Sequence, residues 1–270
     1  MNPHDERDID AKNRIYDYAV GPIWQKLVYE PVHGGLELAN IGGVRFLDEL
    51  LTLVRATSAP IAELCSGSGA CCLYLAQHCP SNIVGIDVNM IQVMHSRKSL
   101  SDVDPDIRAR IHFEQCDVRF WEPREQFGCI FSLDSLVLVP DLDVVLARAR
   151  QALLPDGILA IADVTAGPRC TPELRRYAWE EDGMINLESA EALAERVRRA
   201  GLEVVDIGDW TDQAAATFTR IAEATQARRQ EVIAVSGLAA WQDWDSLSRR
   251  YRDSFAERAL GYTRILARHP

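Results

Sequence analysis

The stretch Ile61-Ala62-Glu63-Leu64-Cys65-Ser66-Gly67-Ser68-Gly69-Ala70 constrains this chain most. Its mostly apolar first half suits a parallel strand covered on both faces. The two glycines allow a tight turn and close backbone approach. The following Cys71-Cys72-Leu73-Tyr74-Leu75-Ala76 is free of Gly and Pro, so a helix begins with its unpaired N–H groups directed at the turn. A strand, a glycine turn and a helix in that order make a ligand site.

The turn does not name its ligand. A phosphate-binding loop would need Gly-x-x-x-x-Gly-Lys-Ser/Thr, and no lysine follows Gly69. The dinucleotide fingerprint Gly-x-Gly-x-x-Gly fails at its third glycine, where Cys72 stands. Two acidic residues add information: Glu63 inside the strand, and Asp87 at the end of a second apolar strand, Ile83-Val84-Gly85-Ile86. A carboxylate at that strand tip can accept hydrogen bonds from both hydroxyls of a ribose; it could equally cap the next helix.

Composition narrows the ligand further. The formal net charge of −11 comes without any basic stripe to neutralise phosphates, which argues against nucleic acid as a partner. No apolar run approaches the roughly 20 residues needed to cross a bilayer, and no signal segment opens the chain. The expectation is a soluble cytoplasmic protein, with no membrane partner and with homo-oligomer formation left open. None of the seven cysteines has the spacing of a zinc pair or an iron–sulfur loop, so no metal is expected and the thiols read as small core residues.

Strand and helix signals alternate along the middle of the chain. Helices are expected from Leu36 to about Arg55 (interrupted by Gly42-Gly43), from Ile91 to Leu100, from Asp141 to Leu154 with Asp141 as N-cap, and from a Ser189 cap to Ala200. Further strands are expected at Ile111–Cys116, ending at Asp117, at Cys129–Leu133, at Ile158–Ala162, ending at Asp163, at Leu202–Ile207 and at Tyr262–Ala267. Such alternation implies an α/β fold, a parallel sheet with helices on both faces. The tail departs from it: Thr211 to about Glu257 is helical in composition and carries or adjoins Trp210, Trp241 and Trp244.

Five segments, Glu63–Gly69, Gly85-Ile86-Asp87-Val88-Asn89, Gln115-Cys116-Asp117-Val118, Phe131–Leu136 and Leu153-Leu154-Pro155-Asp156-Gly157, stand in the order and spacing of the class I S-adenosylmethionine (SAM)-dependent methyltransferases. Over roughly residues 58 to 210 the chain resembles the small-molecule branch that includes glycine/sarcosine N-methyltransferases and quinone-biosynthesis methyltransferases. The resemblance implies a Rossmann-like, seven-stranded, mostly parallel sheet whose last strand is antiparallel and enters between the fifth and sixth. It divides the chain into an N-terminal helical cap segment (1–57), a SAM-binding core (58–210), a helical cap insertion (211–257) and a returning strand (258–270). It implies SAM as cofactor, a small-molecule acceptor, and cofactor contacts from Glu63, Cys65, Gly67, Gly69, Asp87, Val88, Asn89, Asp117 (to the adenine amino group), Val118, Ser132 and Leu133. Tyr16 and Tyr18 are either cofactor contacts or aromatic anchors on the core.

Methyl transfer to a hydroxyl needs a base, because a neutral hydroxyl is a poor nucleophile. His33, in Pro-Val-His-Gly-Gly, and Asp134, after the fourth strand, are the candidates. His33 could instead bond backbone in its turn, and Asp134 could cap a helix or touch the cofactor. Related sequences often carry histidine where Leu138 stands, which leaves room for an amine or carbon acceptor. A protein that keeps the fold but catalyses a rearrangement or cyclisation is the alternative; an NAD-dependent dehydrogenase is disfavoured by Cys72 and the later motifs. Cys65 stands where the family loop usually has its first glycine, and is expected to keep φ below zero.

Overall fold

In the computed structural model, residues 25–36, 38–54 and 58–270 are described. Seven strands form one sheet: β1 (Ile61–Leu64), β2 (Ile83–Asp87), β3 (Ile111–Gln115), β4 (Phe127–Leu133), β5 (Leu153–Ala166), β6 (Glu203–Asp209) and β7 (Leu260–Arg268). Their spatial order is β3-β2-β1-β4-β5-β7-β6. The pairs β1–β2, β1–β4, β2–β3 and β4–β5 are parallel, and β7 runs antiparallel to both β5 and β6. This is the α/β Rossmann-like sheet that the resemblance implies. The chain leaves β1 for β2 on one side and later enters β4 on the other, so a crevice opens at the carboxyl ends of β1 and β4.

Helices cover both faces because both faces are apolar. On one face α1 (Val44–Val54), α2 (Ala70–His78), α3 (Met90–Ser99), α4 (Thr211–Ala227) and α5 (Arg229–Ala256) bury Leu47, Leu51, Cys72, Leu75, Val93, Phe218 and Phe255 against Phe113, Phe131 and Tyr262. The other face is smaller, with α6 (Leu142–Ala152) and α7 (Ala190–Arg199) setting Val145, Leu146, Ala149, Leu193 and Val197 over Ile130, Leu159 and Ile161. Complete burial of a Leu or Val side chain contributes about 1.5–3 kcal/mol before entropy is counted.

The expected elements shift at their ends for identifiable reasons. The helix expected from Leu36 starts only at Val44, because Gly43 takes φ +57 and breaks the frame. Asp141 stands at the N-cap of α6 as expected, but at φ +53 and without a side-chain cap bond, and its carboxylate lies 3.5 Å from Arg119. α6 ends at Ala152, and β5 starts at Leu153 rather than Ile158, with Asp156 at φ +62 donating its N–H to the His269 carbonyl. The helical tail is two helices, α4 and α5, and α5 is kinked at Gly237. A helix at Pro172–Glu180, capped by Thr171 Oγ1, was not expected from the sequence.

Two turn glycines separate in function. At Gly69, φ is +78 and an added Cβ would lie 2.6 Å from Phe113 Cε1 and 2.8 Å from Ser96 Cβ. At Gly67, φ is +51 and an added Cβ would meet nothing within 4 Å. Gly69 is therefore required by the packing of α2 and α3 on β3, whereas Gly67 faces open space. Gly69→Ala is expected to lose about 2–5 kcal/mol, combining left-handed strain with overpacking, and Gly67→Ala only about 1–2. Urea unfolding midpoints check this; equal losses at the two positions would remove Phe113 and Ser96 as the cause.

Candidate functional site

The turn between β1 and α2 holds three residues in the left-handed region, Cys65 (φ 59), Gly67 (φ 51) and Gly69 (φ 78). The expectation that Cys65 keeps φ below zero is thus overturned: the chain reverses so tightly that position 65 also turns left-handed, and a cysteine bears the cost. The reversal is fixed by the Ser66 N–H donating to the Ile86 carbonyl and the Gly69 N–H to the Ser66 carbonyl, each at 2.9 Å. α2 begins with no side-chain cap, so the partial positive charge of its first turn is directed at the loop.

Asp87 closes β2 and pins that loop. Its Oδ2 accepts the Gly67 N–H and its Oδ1 the Asn89 N–H, both at 2.8 Å. The carboxyl is 3% exposed, and burial raises its pKa while these backbone bonds oppose the rise. The helix cap is Asn89 instead, whose Oδ1 accepts from Ile91 and Gln92. Each Asp87 oxygen retains a second lone pair for a hydroxyl. Val88, between them, is exposed at the strand tip.

Glu63 lies beneath the turn rather than beside it. It is buried and accepts the Cys72 thiol at 2.9 Å, and burial pushes its pKa up to about 8. Asp117 is two residues past β3 and is held by Arg119, whose Nη2 is 2.7 Å from Oδ2 and whose Nε reaches both oxygens. Arg119 was absent from the sequence reading; its i+2 position from Asp117 was the available signal. The Val118 side chain is turned into the core with Trp121.

At the carboxyl end of β4, Ser132 Oγ bonds the Leu64 carbonyl at 3.1 Å and Ser135 Oγ at 2.8 Å, and Leu133 is buried. Asp134 follows at φ +52. Its Oδ2 accepts the Ile41 N–H at 2.7 Å, while the buried Oδ1 has no hydrogen-bond partner among the described residues. Burial first, and then the charge of Asp163, raise its pKa to about 8. The Tyr262 hydroxyl faces this carboxyl and works against that rise.

His33 is buried and stacks parallel on Tyr29 with ring centroids 6.3 Å apart. Tyr29 in turn meets the edge of Trp244 of α5 at 6.1 Å. Burial, then Arg220, lower the His33 pKa to about 4, so the imidazole is neutral at pH 7, and its Nε2 has no partner among the described residues. The backbone reading of the histidine holds for its main chain, whose N–H bonds the Tyr29 carbonyl, but not for its ring. Tyr16 and Tyr18 lie outside the described residues.

Glycine turn, strand-tip carboxylates and sheet order together make a Rossmann-like ligand site. A family model described as "Methyltransferase domain" matches residues 42–207, more than half of the chain, and the chain belongs to that family, whose cofactor is SAM. It is 30% identical over 179 residues to an O-methyltransferase, cnsE, of Penicillium expansum, covering 64% of this chain and 63% of that protein. It is 26% identical over 216 residues to 27-O-demethylrifamycin SV methyltransferase of Amycolatopsis mediterranei, 78% of this chain and 77% of that one. Among solved structures, a phosphoethanolamine N-methyltransferase 2 of Haemonchus contortus with phosphomonomethylethanolamine and S-adenosylhomocysteine superposes at TM-score 0.83. It shares 18% identity, covering 97% of this chain and 59% of that one. The [4+2]-cyclase SpnF superposes at TM-score 0.74 with 20% identity over 95% of both chains. The chain thus spans less than two thirds of some of the proteins it matches.

Glu63 makes the site's pH dependence testable. Its folded pKa is raised from 4.5 to about 8, so the protonated form stabilises the fold fully below 4.5, and that contribution is lost as pH rises towards 8. Glu63→Gln keeps an acceptor for the Cys72 thiol and cannot titrate. The difference in urea midpoint between wild type and variant is expected to change across that window, and a constant difference would show that Glu63 is ionised throughout.

Proposed function

We propose that this protein transfers the methyl group of SAM to a small-molecule acceptor that gives up a proton in the course of methylation, a hydroxyl or an amine. The observation that carries the reading is Asp134, a half-buried residue at the mouth of the β1–β4 crevice whose buried Oδ1 has no hydrogen-bond partner among the described residues.

The residues present fit the cofactor. Gly67 leaves open the space that a Cβ would take, beside the uncapped start of α2. In this reading the turn from Cys65 to Gly69 lies against the amino-acid end of the cofactor, Asp87 accepts its ribose hydroxyls, and Val88 lies against its adenine. The Asp117–Arg119 pair, with Val118, closes the adenine end; Ser132, Leu133 and Glu63 hold the strands from beneath. SAM supplies a methyl group on a positively charged sulfur, poised for in-line displacement. Alignment and exclusion of water are then the protein's main tasks, worth on the order of 7–11 kcal/mol in favourable cases.

Asp134 is the candidate base, because burial leaves it a proton affinity close to neutral pH, where general bases work best. His33 is the second candidate, neutral and therefore able to accept a proton. Tyr29, Trp244 and the α4–α5 pair form the helical wall beside it, which we read as the cap over the acceptor. Among the described residues no helix is long and apolar enough to cross a membrane, and all seven cysteines are free thiols, which supports a cytoplasmic location.

Isothermal titration with SAM and with S-adenosylhomocysteine, after mass spectrometry for either in the purified protein, tests the reading. Both are expected to bind, and acceptors are then screened by release of S-adenosylhomocysteine. Binding of neither would overturn the assignment; binding without turnover on any acceptor would favour a rearrangement or cyclisation. Asp87→Ala is expected to weaken SAM by ~1–3 kcal/mol, the cost of leaving buried polar partners unpaired. Gly67→Val should abolish SAM binding while the chain stays folded, and a variant that bound normally would place the cofactor elsewhere.

A further inference from the structure

Asp163 plays no part in the reading above, yet it is the residue that the sheet sets beside Asp134. In the β4–β5 pairing Leu133 lies opposite Ala162, and the Asp134 N–H extends the ladder to the Ala162 carbonyl at 2.9 Å. The next positions along the two strands are therefore Asp134 and Asp163. Asp163 is 1% exposed and has no ion pair among the described residues. Its Oδ2 accepts the Val137 N–H at 3.0 Å and its Oδ1 the Val164 N–H at 2.8 Å, and the N–H groups of Ser135 and Leu136 also point at it. Three of these four donors belong to the turn that directly follows Asp134.

The two carboxyls are unequally served. Burial raises the proton affinity of both, but at Asp163 four backbone N–H groups oppose it and hold the pKa to about 7, whereas Asp134, served by the Ile41 N–H and the facing Tyr262 hydroxyl, rises to about 8. Among the described residues the titratable groups facing Asp134 are Asp163 on β5, Tyr262 on β7, Tyr29 before α1 and Cys71 on α2, and none of these is cationic. Two carboxylates in one buried site cannot both ionise cheaply, so the better-solvated one takes the charge and the other keeps the proton.

We propose that Asp163 is a positioning residue of the active site: it remains the anion of a two-carboxyl pair, keeps the pair's single proton on Asp134, and ties the turn 135–138 in place. Its catalytic meaning rests on Asp134 being the base. During transfer the acceptor's lone pair forms the bond to the methyl carbon, and the carbon–sulfur bond breaks with its electron pair staying on sulfur. Asp134 first releases its resting proton to solvent; the acceptor's proton then passes to the ionised carboxylate, from which it too returns to solvent. The neighbouring anion makes Asp134 a stronger base than an isolated carboxylate, without any histidine on the loop at Leu138.

Infrared titration of the ligand-free full chain tests the pair without an acceptor. The Glu63→Gln background removes a further buried carboxyl whose pKa lies as high as that of Asp134. A protonated-carboxyl band is expected there at neutral pH, lost in the added Asp134→Asn variant. With Asp163→Asn its midpoint should move to lower pH by about one unit or more, the change expected when a neighbouring carboxylate loses its charge. An unmoved midpoint would leave Asp163 as a structural anchor only and overturn the proposal. Should Asp163→Asn fail to fold, the Asp134→Asn comparison alone decides: a band that persists overturns the pair. The outcome is independent of SAM titration, so failure of the pair and failure of the methyltransferase reading are told apart.

Discussion

A carboxylate that no cation reaches must be held by backbone N–H groups or keep a proton. Four such carboxyls stand together: Glu63, Asp87 and Asp163, buried on β1, β2 and β5, and Asp134, half-buried just past the end of β4 with its Oδ1 shut off from solvent. Among the described residues none of the four has an ion pair; the arginines bond to carboxylates elsewhere, as Arg119 does to Asp117 and Arg264 to Asp206. Their partners are the amides of turns: Gly67 and Asn89 for Asp87, Ile41 for Asp134, Val137 and Val164 for Asp163. The loops of the site are thus shaped by the need to satisfy buried negative charge, and loop shape and acid–base behaviour share one cause.

The same economy explains why the mouth of the sheet suits a cationic cofactor. Buried carboxyls with raised proton affinity are costly to ionise in isolation, and a positive group arriving beside them offsets that cost. The uncapped start of α2 supplies the opposite polarity on the other side of the turn, where a carboxylate is favoured. An amino acid with a positively charged sulfur matches both. The wall built from α4, α5 and the aromatic run Tyr29–Trp244 adds apolar surface, so on the proposed reading an acceptor there would be selected by shape and by Asp134.

Much of the site was legible because it is local. The glycine turn, Asp87 at the end of β2 and the sheet's alternation follow from neighbours in the chain, where sterics and hydrogen-bond reach act over a few residues. Element ends were less legible. The Leu36 helix lost its first two turns to Gly43, and the Asp141 side chain was drawn from its capping bond towards Arg119, a residue twenty-two positions earlier. Cys65 in a left-handed conformation was invisible, since a cysteine carries no conformational signal of its own.

The sequence by itself determined the strand–turn–helix order and the family, because spacing along the chain dictates both. Only the tertiary structure decided which acids act together. Asp134 and Asp163 are 29 residues apart and become neighbours through the β4–β5 register, while Ile41 and Tyr262 reach Asp134 from opposite ends of the chain. Proton affinity in such a site depends on burial and on what faces each carboxyl, and both are properties of packing that no linear motif encodes.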